Sequence, residues 1–435
     1  MPQDKTLSYR ECANLRSTDE TAWKKVFHQS PEQIEVWRYF AEHPPNKHAL
    51  TAMQSPEGLP FKTIQVWLDG LVDEKHYDSA LQLWQLLQSP GFSPGEQTLS
   101  RLFQWATDPT TDPETASFVL ENLQRTLVLR SPKEVLRCLW NPANLEGLWE
   151  WLRTLLERGA TSPTYQNHII PQVLRLLVTA FRHDLLDRDR DLAKDLRECL
   201  FLQTFSRPFN GCAMTQIQQA TDTLFWGLTH CVTQGTDAGL WLHELFHILV
   251  LLAFMNYIDL NTLVSHTYQW LHHENIGVQQ RFVRNLQSDN FRVLVLDIVL
   301  QNECSLTNHN NHTPGRRTSL TEFMQLHFSA VTALARRPST RHHTVSPEWV
   351  SHMVVSLCLL IESYINSHHV ITPQGTHLGL RPVEVGCLSK CGEVVNPLEE
   401  ALGPMHTEAV FHLQMLKVML MHHYVTFYQA NHAST

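Results

Sequence analysis

Positive charge is in short supply in this chain: 34 Lys and Arg stand against 43 Asp and Glu, a formal balance of −9 over 435 residues. Sequence-independent phosphate binding needs a cationic surface that displaces counterions, so this balance argues against nucleic acid as a direct ligand. Paired cysteines are lacking as well. The nine cysteines are an odd number scattered without a disulfide framework, which favours a reducing compartment. Cys387 and Cys391 lie close together, but no second pair completes a tetrahedral zinc site. The longest uninterrupted apolar run, Ile248 to Met255, is too short to cross a bilayer, and residues 1–20 hold no apolar stretch of the kind a signal peptide needs. A soluble intracellular protein without a membrane partner is expected. Strand-like alternation is also nearly absent; only residues 370–395, with Gly375, Gly379, Gly386 and Gly392, read as a loop or small hairpin.

What is present is helix punctuation. Ser or Asp followed by Pro, often with an acid next, recurs at Ser30, Asp112, Ser131, Ser162 and Ser346. A short oxygen-bearing side chain satisfies free backbone N–H groups, proline fits the first helical position, and an early acid suits the helix dipole. Gln33 and Glu134 complete capping boxes for Ser30 and Ser131, and Gly159 is expected to end a helix that begins near Asn144. Between these marks the apolar spacing has a helical period, as in Leu148, Trp149, Leu152, Leu155 and Leu156. The fold class expected is all-α: stacked helical hairpins, α-solenoid-like. The expected organisation is a partly disordered segment at 1–29, a helical-repeat region at 30–301, a loop-rich linker with one helix at 302–345, and a C-terminal helical region at 346–435 with an irregular insert at 370–397. Arg336, Arg337, Arg341, His342 and His343 form a basic cluster that reads as a solvated loop.

Residues 63–103 return to their starting pattern after 35 positions, from Thr63 to Thr98. Leu68-Asp69-Gly70-Leu71, Tyr77-Asp78, Ala80-Leu81, Leu83-Trp84, Leu87, Gly91-Phe92 and Pro94 resemble a pentatricopeptide repeat. That resemblance implies a helix hairpin in which Gly70 and Ala80 allow close approach. It also implies single-stranded RNA reading through the positions held here by Gln65 and Gly95. Gly95 departs from the family's polar residue and offers no side chain to a base.

His243, Glu244 and His247 spell H-E-x-x-H, which sets two imidazoles one helical turn apart beside a carboxylate that could activate water. A zinc-dependent hydrolase would use His243, His247 and Glu274 as ligands and Glu244 as its catalytic base. Against this reading, a chain with 26 histidines spells such a string by chance roughly one time in twelve. No metzincin continuation follows either, since Val250 and Ala253 hold those places. The two histidines are therefore expected to be hydrogen-bonded core residues, with no cofactor and no catalysis.

The last apolar segment, Glu408 to Tyr428, is apolar around nearly its whole circumference. It is expected either to insert between other helices or to dock on another, helical protein subunit through Phe411, Met415, Met419, Leu420 and Tyr424. Phe291 to Leu300 followed by Glu303 is similar to a SUMO-interacting motif, although a buried helix accounts for it better. With the terminal helix, this run resembles the Nse-type regulatory subunits of structural-maintenance-of-chromosomes complexes. The resemblance implies a non-catalytic scaffold within a heteromeric assembly for chromosome maintenance, and favours the nucleus over the cytoplasm.

Overall fold

The structure is a computed structural model and describes residues 61–88, 94–108, 110–129, 132–139, 147–162, 165–190, 198–205, 214–231, 237–255, 257–304, 320–336, 346–367, 370–371, 377–378, 388–402 and 406–432. The expectations for residues 1–29, for the caps at Ser30 and Ser131, for the loop at 337–345 and for Cys387 fall outside these residues. The chain is all-α, and its contacts divide it into two compact units. Among the described residues, one unit runs to Leu249 and takes up Tyr257–Asp259, while the other holds Val250–Asn256 and everything from Leu260 onward. The division falls between Leu249 and Val250, inside a helix.

The first unit contains α1 (Phe61–Asp73), α2 (Tyr77–Gln88), α3 (Glu96–Ala106), α4 (Pro113–Leu129), α5 (Pro132–Leu139), α6 (Leu148–Thr161), a π-helical turn at Tyr165–Ile169, α7 (Ile170–Arg190), α8 (Leu200–Gln203), α9 (Met214–His230) and most of α10 (Ala238–Phe254). Asp112 caps α4 as its sequence signature implies, its Oδ2 accepting from Thr115 N at 3.0 Å. α6 departs from expectation at both ends. It starts only at Leu148, after Gly147 in a left-handed turn at φ 84°, and it carries Gly159 buried inside its last turn before stopping at Ser162. Packing of α3 on α4 and α5, of α7 on α4 and α5, and of α6 on α9 builds the core. Aromatic rings fill it: Trp149 meets Phe201 edge-on at 5.7 Å and donates through Nε1 to Thr204 Oγ1 at 3.1 Å. Gly227 is the close-approach glycine here, since a Cβ would lie 2.9 Å from a Leu242 methyl. Gly70 is not, because a Cβ there would meet nothing within 4 Å.

The second unit holds α11 (Leu260–His273), α12 (Ile276–Asn285), α13 (Asp289–Glu303), α14 (Leu320–Ala335), α15 (Pro347–Asn366), a two-residue hairpin pairing β1 (Val370–Ile371) with β2 (His377–Leu378), α16 (Leu388–Leu402) and α17 (Thr407–His432). Ser346 caps α15 through Trp349 N at 3.1 Å. α16 begins well inside the segment expected to be irregular and continues through Pro397. α13 packs on α11 and α15, and α17 packs on α15 and α16. Phe291, Val293, Val295, Leu296, Val299 and Leu300 are all buried along α13, so the SUMO-like run is helical and turned into the core. Arg292 ties this layer together: its Nε donates to Val283 O at 2.9 Å and its Nη1 to Asp289 Oδ1 at 2.7 Å and Ser363 Oγ at 3.0 Å. α15 is long and apolar enough to cross a membrane by length and composition, and 72% of that window is buried inside the protein.

Candidate functional site

α10 is apolar on every side, so burial rather than amphipathicity holds it in place, and residues 242 to 250 are all buried. Within that core His243, Glu244 and His247 are 8%, 1% and 4% exposed. The Glu244 carboxylate is ion-paired with the guanidinium of Arg182, a buried residue of α7. A carboxylate that must take a proton from water is here already neutralised by a fixed cation, and at these exposures it has no surface at which to meet a substrate bond. Burial holds the His243 imidazole down at about 4. Burial, and then the Arg182 charge, hold His247 at about 3. Glu274, the third ligand the sequence offered, belongs to the other unit, where it follows α11 and its carbonyl accepts from Gln279 Nε2 at 2.9 Å. Among the described residues no group of three or more His, Cys, Asp or Glu converges as a metal site would require. Arg182 is the residue that sequence reading missed. It lies 62 positions before Glu244, and no local pattern links them.

α1 and α2 do form a helix hairpin, and α1 also packs on α3. Gln65, one of the two base-reading positions that the repeat resemblance implies, is occupied within the chain. Its Oε1 accepts from Gly95 N at 2.8 Å, and its Nε2 donates to Asp69 Oδ1 at 2.6 Å and Thr98 Oγ1 at 3.0 Å. Thr98 Oγ1 in turn donates to Asp69. The amide thus stitches α1 to the start of α3. Gly95 has a structural reason of its own: a Cβ there would stand 3.1 Å from Gln65 Nε2.

Among the described residues α17 packs one side on α15 and α16 and leaves the other, mainly apolar side open. Ala409, Leu413, Leu416 and Leu420 point inward and are 0–4% exposed. On the opposite side Phe411, Met415, Val418, Met421 and Val425 expose 58%, 52%, 63%, 52% and 43% of their surface. At 3.6 residues per turn those five fall within an arc of about 120°. Of the residues expected to dock a partner, Phe411 and Met415 lie in this stripe, and Met419 and Tyr424 are half-buried at the sides of the helix. Leu420, at 1% exposure, is a core residue and is withdrawn from the docking face. Val418, Met421 and Val425 were missed, although their spacing from Phe411 and Met415 marks the stripe once the inward face is known. Lys417 is ion-paired with Glu399 of α16, and Gln414 Nε2 donates to the same carboxylate at 3.4 Å, which closes one flank of the helix. The Lys417 hydrogen bond is the main cause holding Glu399 below the usual carboxylate range. A separate open hollow of about 370 Å³ in the first unit has Glu150, Arg153 and Asp222 in its lining; it carries charge of both signs and no histidine or cysteine.

No protein-family model matches the chain, and no curated protein matches it significantly.

Proposed function

We propose that this protein is a non-catalytic helical scaffold that binds protein through the outer face of α17. The observation that carries the reading is the exposed five-residue apolar stripe on a helix whose other face is fully used in the core. Exposing such side chains together is unfavourable in water, and contiguous apolar patches of this kind mark contact surfaces. Methionines at two of the five positions suit a surface that adapts to a partner. The ion pair between Glu244 and Arg182 supports a structural role for the H-E-x-x-H helix, and the use of Gln65 inside the chain supports a packing role for residues 63–103. The likeness of residues 291–303 and α17 to Nse-type subunits makes a nuclear chromosome-maintenance assembly the first place to look for companions.

The test is affinity purification of the full chain alongside a Met415→Asp, Met421→Asp double variant. Wild type is expected to retain a stoichiometric companion, whether a different polypeptide or a differently tagged copy of the chain. The variant is expected to lose it while far-ultraviolet circular dichroism stays helical. A folded double variant that keeps every companion would remove α17 from the binding surface.

A further inference from the structure

The outer stripe of α17 has a symmetry that bears on what covers it. Phe411, Met415, Val418, Met421 and Val425 succeed one another at intervals of four, three, three and four residues, an order that reads the same from either end with Val418 at its middle. We infer that the occupant of this face is a second copy of the same chain, laid antiparallel along α17 about a twofold axis that passes beside Val418. The inference rests on the reading of this face as a protein-docking surface and names its partner.

Three features of the helix bear on this choice. Around a twofold axis across the helix the same patch must complement itself, and among antiparallel registers only the symmetric one lets the two stripes overlap along their full length. In any shifted register an apolar end of each stripe is left in water. Charge is the second feature. Between Phe411 and Val425 the outward arc is otherwise filled by Gln414 and His422 and holds no Asp, Glu, Lys or Arg. A charged residue beside the axis would meet its own copy at close range, so a self-contact requires this absence, and the opposed helix dipoles favour the antiparallel sense. The third is area. The five exposures together amount to roughly 500 Å² per copy, near the upper end of what a monomer ordinarily leaves open. The pair would bury about 1,000 Å², the lower bound for a specific contact. A reversible dimer with a dissociation constant on the order of 10 µM is therefore expected.

The full chain is to be sedimented to equilibrium across roughly two decades of concentration around that value. The wild type should pass from monomer to dimer, and Val418→Asp should stay monomeric with an unchanged helical spectrum. Two cysteine variants then read the register. Val418→Cys places both thiols beside the axis within disulfide reach, so mild oxidation should yield a covalent dimer that maps to position 418 in both copies. Phe411→Cys sets its copies about 21 Å apart along the helix axis, fourteen residues at 1.5 Å each, and should not join to itself. A wild type that is monomeric throughout, a Val418→Asp variant that still dimerises, or self-coupling at 411 as fast as at 418 would each overturn the inference. A monomeric wild type that still loses a different companion in the Met415→Asp, Met421→Asp variant would leave the docking reading standing and refute only the second copy.

Discussion

Replacing Glu244 with Gln separates a structural carboxylate from a catalytic one. In this fold Arg182 and Glu244 are 8% and 2% exposed at their side chains, so neither charge has water to fall back on. Glu244→Gln keeps the shape and leaves the guanidinium buried without its counter-charge, and Arg182→Met strands the carboxylate in the same way. Breaking one side of a buried pair costs about 3–5 kcal/mol. That is a large part of the roughly 5–15 kcal/mol by which ordinary domains are stable, so either single variant should bring the first unit close to unfolding at room temperature. Removing both charges at once is a different perturbation. Arg182→Met with Glu244→Leu exchanges two desolvated ions for apolar contacts of similar volume, which is often neutral or stabilising by about 1–4 kcal/mol. The assay is urea unfolding of the full chain, followed by circular dichroism and tryptophan fluorescence, as a double-mutant cycle of wild type, Arg182→Met, Glu244→Leu and the double variant, with Glu244→Gln measured beside them. Each single variant should fall far below wild type, and the double variant should recover most of the loss. A Glu244→Gln midpoint equal to wild type, or a double variant as weak as the sum of its parts, would refute the buried-pair account and restore Glu244 as a residue free for other work.

Two further outcomes follow from the same cores. His243 and His247 sit at about 4 and about 3, below the 6.5 of an unhindered imidazole, because the folded unit favours their neutral forms. Above pH 6.5 both are neutral whether the chain is folded or not, so they leave stability unaffected there. As pH falls below 6.5 the unfolded chain takes up protons that the folded one refuses, and stability drops until the folded values are reached. By pH 5 the loss is about 2 kcal/mol per imidazole, and urea midpoints at pH 7 and pH 5 should show it, with a smaller difference in a His243→Leu, His247→Leu variant. At the α1–α3 junction, Gly95→Asn restores a polar side chain where the pentatricopeptide family has one, but its Cβ would press on the Gln65 amide. The expected result is a loss of about 1 kcal/mol, from disturbance of one part-buried hydrogen-bond network, and no gain in single-stranded RNA retention in a filter-binding assay.

The sequence by itself determined the secondary structure class and much of its punctuation. Asp112 and Ser346 open helices because a short acceptor before proline satisfies free N–H groups whatever packs around it, and the 3.6-residue period of segments such as Leu148–Leu156 is a property of the helix alone. Glycines marked residues 370–395 as a loop or small hairpin, and β1 does pair with β2 there, but the end of that segment is helical in α16. Tertiary structure decided the rest, because the deciding partners are far apart along the chain. His243, Glu244 and His247 spell a zinc string by local spacing, yet the meaning of Glu244 depends on Arg182, brought to it only when α7 packs on this core. Gln65 holds a position that the repeat resemblance alone would assign to base reading, whereas by contact it accepts from Gly95 N. α17 is apolar on both sides, so its composition could not distinguish the side buried against α15 and α16 from the side left open. Leu420 and Met421 are adjacent residues of nearly equal hydrophobicity, and only the direction of packing puts one in the core and the other in water.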